Sequence, residues 1–180
     1  MNTQFRLWLV LASLLLGSAA FAETMVEVTL VDRLDEPRGF CFDTLGFQVE
    51  ARPEEGLQTH SCYSYQGQLA VDQTFDGDLI PEGTFRIIEF DLCMTLTGTS
   101  AGSKFALEPC DGRDRQRFEH RANGRVVAAA APGNCVTAGI GPSRQGGGGD
   151  PVHLIRDLTL QVCDASRDAR QQWRVREAAD

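Results

Sequence analysis

No Cys-x-x-Cys occurs in this sequence, and none of its three histidines, His60, His120 and His153, stands at ligand spacing from a cysteine cluster. Zinc chelation of the usual N and S type is therefore not expected, and no cofactor is. No apolar run reaches the roughly 20 residues of a membrane span; the longest, Leu7 to Leu16, is too short. Helix-length apolar patterns are scarce, while 18 glycines and 7 prolines punctuate the chain. That combination favours an all-β fold of short strands. Excess positive charge is lacking too, with 17 Lys and Arg against 25 Asp and Glu. A formal charge of −8 speaks against nucleic acid or anionic lipid as a partner.

What is present begins with a leader. Arg6 precedes the apolar run, and Gly17-Ser18-Ala19-Ala20-Phe21-Ala22 follows it. Small residues at Ala20 and Ala22 suit signal peptidase, so residues 1–22 read as a signal peptide and Glu23 as the mature N-terminus. No cysteine follows to accept a lipid. The expectation is a soluble secreted or periplasmic protein without stable membrane insertion. Residues 23–180 then suit one domain with a real core.

The remaining chain is organised by a phrase that occurs three times: a cysteine, a second cysteine, then a glutamine one residue away from an aromatic. The copies are Cys41, Cys62 and Gln73-Thr74-Phe75; Cys93, Cys110 and Gln116-Arg117-Phe118; and Cys135, Cys163 and Gln171-Gln172-Trp173. The glutamines recur at intervals of roughly 40 to 55 residues, a repeat-sized period. Gly83-Thr84-Phe85-Arg86-Ile87 and Gly124-Arg125-Val126-Val127 begin matching strands ahead of Cys93 and Cys135. Repeats are expected at about 24–82, 83–123 and 124–176.

On these motifs the chain resembles the ricin-type, or R-type, lectin domain over roughly residues 38 to 176. The resemblance implies a β-trefoil of three pseudo-symmetric repeats, with the motif aromatics Phe75, Phe118 and Trp173 in the core around the threefold axis. Export allows six thiols to form three bridges, and of the 15 possible pairings the repeat selects Cys41 with Cys62, Cys93 with Cys110, and Cys135 with Cys163. Each such bridge is worth about 3 kcal/mol in the chain-entropy picture.

In R-type lectins a functional repeat carries an aspartate two residues after its first cysteine, an aromatic two before its second, a glutamine two before that, and a polar residue beside the motif glutamine. A carboxylate and amides grip vicinal hydroxyls, and a ring covers the apolar face of the sugar. The first repeat fits best, with Asp43, Gln58, His60, Asp72 and Gln73 as the implied sugar-binding residues. Two departures stand out: His60 replaces a larger ring, and Gln73 lies eleven positions after Cys62. The inserted Tyr63-Ser64-Tyr65-Gln66 either offers a second stacking surface or packs over the barrel mouth. The other repeats carry Thr95 and Thr137 in place of aspartate, and Glu108 and Gln161 in place of a ring, so they read as scaffold. A structural use of Asp43, bonding the turn toward Gly46, is the competing reading.

Met25 to Asp32 alternates as a half-buried strand, Arg52 to Gly56 reads as a surface loop, and Arg176 to Asp180 as a polar tail. Gly146 to Gly149 would suit a phosphate cradle only if Lys-Ser/Thr and a helix followed. Neither does, so Gly141 to Pro151 reads as a flexible loop. His120 is expected to be solvated and His153 to point outward. With the cysteines bridged, no nucleophile and base pair stands out, nor does any carboxylate pair for glycoside hydrolysis, and no enzyme is expected. The leading expectation is weak binding of a carbohydrate, a galactose-type or related glycan. The alternative is a protein-interaction or inhibitory module, with self-association or a protein partner in place of sugar.

Overall fold

A computed structural model of the chain describes residues 23–64 and 70–177. The signal segment, Tyr65-Gln66 and the last three residues of the chain lie outside the described residues. Among the described residues thirteen strands form one curled sheet, four in each of the first two repeats and five in the third. The first repeat holds β1 (Met25–Leu30), β2 (Phe40–Thr44), β3 (Leu57–Ser61) and β4 (Phe75–Asp76). The second holds β5 (Arg86–Ile87), β6 (Leu92–Leu96), β7 (Phe105–Pro109) and β8 (Phe118–His120). The third holds β9 (Val126–Ala128), β10 (Asn134–Ala138), a two-residue β11 (Arg144–Gln145), β12 (Leu154–Val162) and β13 (Trp173–Arg176). This is an all-β trefoil.

The central hairpins share one register. Cys41 faces His60, Cys93 faces Glu108 and Cys135 faces Gln161. That register sets the second cysteine of each repeat close enough to the first for bridging, and Cys41–Cys62, Cys93–Cys110 and Cys135–Cys163 form with Cα separations of 5.0, 5.1 and 5.0 Å. Gly83 and Gly124 show why the matched strands need glycine. Both have positive φ, and their carbonyls accept from the N–H of Phe118 and Trp173. A Cβ there would lie 3.2 Å from the Phe118 carbonyl oxygen or 3.1 Å from that of Trp173.

Phe75, Phe118 and Trp173 are all buried. They meet through two intermediaries: Phe42 packs on Trp173 at 4.5 Å and on Phe75 at 6.1 Å between ring centroids, and Phe85 packs on Phe118 at 6.0 Å. The Trp173 indole N–H donates to the Val136 carbonyl at 2.9 Å, which satisfies the one polar atom this ring takes into the core.

Several local expectations change. Beyond Met25 strand β1 is buried on both faces: Val26, Val28 and Leu30 enter the core, while Thr29 lies against the Cys62 sulfur and Glu27, 0 % exposed, accepts from Ser64 and from the Arg176 guanidinium. Arg176 accordingly ends a strand and does not begin a tail. His120 is half-buried, with Nε2 2.9 Å from the Trp173 carbonyl, to which it donates. Within the loop 141–151, β11 pairs with β12, so the segment is anchored at its middle. No helix among the described residues is long and apolar enough to cross a membrane.

Candidate functional site

Each motif glutamine is buried and makes the same set of bonds. Its Nε2 donates to the carbonyl before the second cysteine: Gln73 to Ser61 at 3.1 Å, Gln116 to Pro109 at 2.9 Å and Gln171 to Val162 at 3.0 Å. Its Oε1 accepts from the backbone N–H after that cysteine, at Tyr63, Asp111 and Asp164. The second Nε2 hydrogen goes to the residue two places after the first cysteine: to Asp43 at 2.6 Å, Thr95 at 2.9 Å and Thr137 at 2.9 Å. The motif glutamine thus closes the hairpin onto the next strand in every repeat.

The three acceptors differ in chemistry. Thr95 and Thr137 pass their own hydroxyl hydrogen to the Cys93 and Cys135 carbonyls. Asp43 accepts a second amide instead, from Gln58 Nε2 at 3.3 Å. It is 1 % exposed, and burial together with the nearby Asp72 pushes its carboxyl well above the usual range. Asp43 therefore lies beneath the barrel surface, not on it, and turns out to be part of the hairpin frame.

Asp72 is buried as well, and burial raises its pKa. Its Oδ2 accepts from the Gln48 N–H at 2.9 Å and its carbonyl from the Thr44 N–H at 3.1 Å. These bonds hold the loop between β2 and β3. Gly46 at the head of that loop has φ of 101°, and a Cβ there would lie 2.4 Å from the Glu50 carbonyl oxygen, so a side chain cannot be accommodated. Phe47 is thereby thrust outward, 48 % exposed.

Above this buried layer opens a cleft of about 780 Å³. Of the five residues predicted for the site, Gln58 and His60 line it, whereas Asp43, Asp72 and Gln73 form the layer behind. His60 stacks on Tyr63 at 5.1 Å, and His153 meets Tyr63 edge-on at 5.0 Å. His153 thus turns into the cleft rather than outward. Phe47 continues the ring wall, 6.1 Å from Tyr63. Glu50, Arg52 and Asp150 supply charged edges. Burial lowers the pKa of His60 to about 4 and also lowers that of His153, so both rings are neutral at pH 7. The cleft can offer a ring face and neutral donors and acceptors, with carboxylates at its rim.

Phe47, His153, Glu50, Arg52 and Asp150 do not emerge from the repeat pattern. Phe47 follows a turn glycine, which is its sole local signal. His153 arrives through the pairing of β12 with β3, which sets Ile155 opposite His60. A second groove of about 530 Å³ lies between Ile80 and Val175, away from all five predicted residues.

Residues 33–173 match the family profile described as "Ricin-type beta-trefoil lectin domain". Among solved structures, the earthworm lectin C-terminal domain mutant in complex with 6'-sialyllactose is 14 % identical with a TM-score of 0.55, covering 86 % of this chain and 98 % of its own. The agglutinin from Abrus precatorius is 19 % identical with a TM-score of 0.56, covering 86 % of this chain and 48 % of its own. The β-trefoil lectin of the Vibrio vulnificus hemolysin/cytolysin, with N-acetyl-D-lactosamine bound, is 14 % identical with a TM-score of 0.54, covering 89 % and 98 %. No curated protein matches the sequence significantly.

Proposed function

The chain belongs to the ricin-type β-trefoil lectin domains, and from that premise we propose that it binds a neutral, galactose-type or related glycan in the cleft of its first repeat. Gln58 contacts hydroxyls from the floor, Phe47 and the His60–Tyr63 pair cover the apolar face of the ring, and Glu50 and Arg52 complete the polar rim. Asp43, Gln73 and Asp72 act from behind: Asp43 holds the Gln58 amide, Gln73 holds Asp43, and Asp72 holds the loop that presents Phe47. The observation that carries this reading is the exposed Phe47 ring, held out over a cleft whose floor amide is fixed by a buried carboxylate. The neutral N-acetyl-D-lactosamine bound by a protein of the same fold supports the ligand class.

A single sugar unit is expected to bind weakly, near millimolar, about −4 kcal/mol. A second copy or an attached partner would raise the avidity on a surface. The leader supports action after export, in the periplasm or outside the cell, and a mature N-terminus at Glu23 would check it.

Amide shifts of the mature protein, titrated with mono- and oligosaccharides, test the assignment. Perturbations centred on Phe47, Gln58 and Tyr63 are expected, and Phe47→Ala should abolish them while leaving the fold intact. If no sugar moves these amides, the cleft is not a sugar site, and a protein-interaction role takes its place.

A further inference from the structure

We propose that the cleft takes an extended glycan and is built by two repeats, the first holding the terminal sugar and Gly146 to Gly148 of the third receiving the units that follow. This rests on the sugar-binding reading of the first-repeat cleft. Strand β12 pairs with β3 through Ile155–His60, Arg156–Thr59 and Asp157–Gln58, so the third-repeat segment before β12 is carried directly over the first-repeat residues. The segment is fixed at its base, since Arg144 and Gln145 pair with Ile155 and Leu154, and the Gly146 N–H donates to the His153 carbonyl at 2.8 Å.

The glycines differ in what surrounds them. A Cβ on Gly146 would meet His60 Nε2 at 3.4 Å, so that position closes against the ring wall. At Gly147 and Gly148 a Cβ would meet nothing within 4 Å, and both line the cleft. Neither lies in the left-handed region of φ, so conformation does not account for glycine at these two positions. Their effect is a wall of bare backbone facing open space. Peptide groups on such a wall can both donate to and accept from sugar hydroxyls. Capacity agrees: about 780 Å³ lies in the upper part of the range for sites that enclose ligands of drug size, more than one hexose ring fills.

Isothermal titration of the mature protein with matched pairs, galactose with lacto-N-neotetraose, glucose with cellotetraose and mannose with mannotetraose, tests the proposal. The tetrasaccharide of the preferred pair should bind at least about tenfold tighter than its monosaccharide. Gly147→Trp and Gly148→Trp should erase that gain and leave the monosaccharide Kd unchanged. Equal affinity for both lengths in the unsubstituted protein overturns the proposal, as does an equal loss for both lengths in the tryptophan variants. Should none of the six sugars bind, the sugar-binding reading itself fails, an outcome distinct from binding that ignores chain length.

Discussion

The first repeat and the other two share a frame and differ in what fills it. In all three a buried glutamine ties the hairpin to the strand that follows, through a carbonyl, an N–H and one side-chain acceptor. The second and third repeats use threonine as acceptor, a neutral group that passes its hydrogen on and closes the network. The first uses Asp43, which cannot pass a hydrogen on when ionised and recruits Gln58 instead. One acceptor substitution thus converts a closed structural network into one that orients an amide at the floor of a cleft, with a buried carboxylate as its cost.

The comparison can be broken most severely at what the repeats share. Trp173→Ala should lower stability by about 3 to 5 kcal/mol, and Phe75→Ala by a similar amount, measured by denaturant unfolding. The Trp173 emission of the folded mature protein should resist iodide. Next comes the glutamine: Gln73→Ala strips a donor from a buried carboxylate and should cost about 3 to 5 kcal/mol, against about 1 to 3 kcal/mol for Gln116→Ala, where the acceptor is neutral.

Smaller effects read two titratable groups, Asp43 and His60, that the first repeat buries where the other repeats carry Thr95 and Thr137, and Glu108 and Gln161. The Asp43 pKa is raised, so the folded state holds the proton longer than the unfolded one, and stability falls as pH rises from about 4 to the folded-state value. Asp43→Thr, which copies the other repeats, should remove that fall and keep the fold. His60 has the opposite sign: with a pKa lowered to about 4, its folded form resists protonation, and stability is lost as pH drops from about 6.5 toward 4. His60→Gln, which copies Gln161, should abolish that component in pH-dependent unfolding curves. The smallest stability change belongs to Phe47→Ala, within about 0.5 kcal/mol, although it should eliminate sugar binding.

Much of the frame was legible because it repeats. Cysteine order and the glutamine–aromatic spacing are local patterns, and three copies of them determine the hairpins, the bridges and the aromatic core. The candidate site was legible in part. Gln58 and His60 flank the cleft because their offsets from Cys62 place them in β3, whereas the eleven-position step from Cys62 to Gln73 gave no sign that Asp72 would reach back to the Gln48 N–H. Burial was the other gap: Asp43 and Glu27 read as surface carboxylates, yet neighbouring strands and loops cover both.

By itself the sequence determined that the chain is a threefold repeat with one bridge per unit, since each unit's pairing is encoded within that unit. Only the tertiary structure decided that the first repeat's cleft has a second wall. His153 and the glycine segment lie some ninety residues from His60 in the chain, and the β3–β12 pairing brings them to it. Such a contact is specified by the closure of the whole barrel, a sum of strand registers that no local pattern carries.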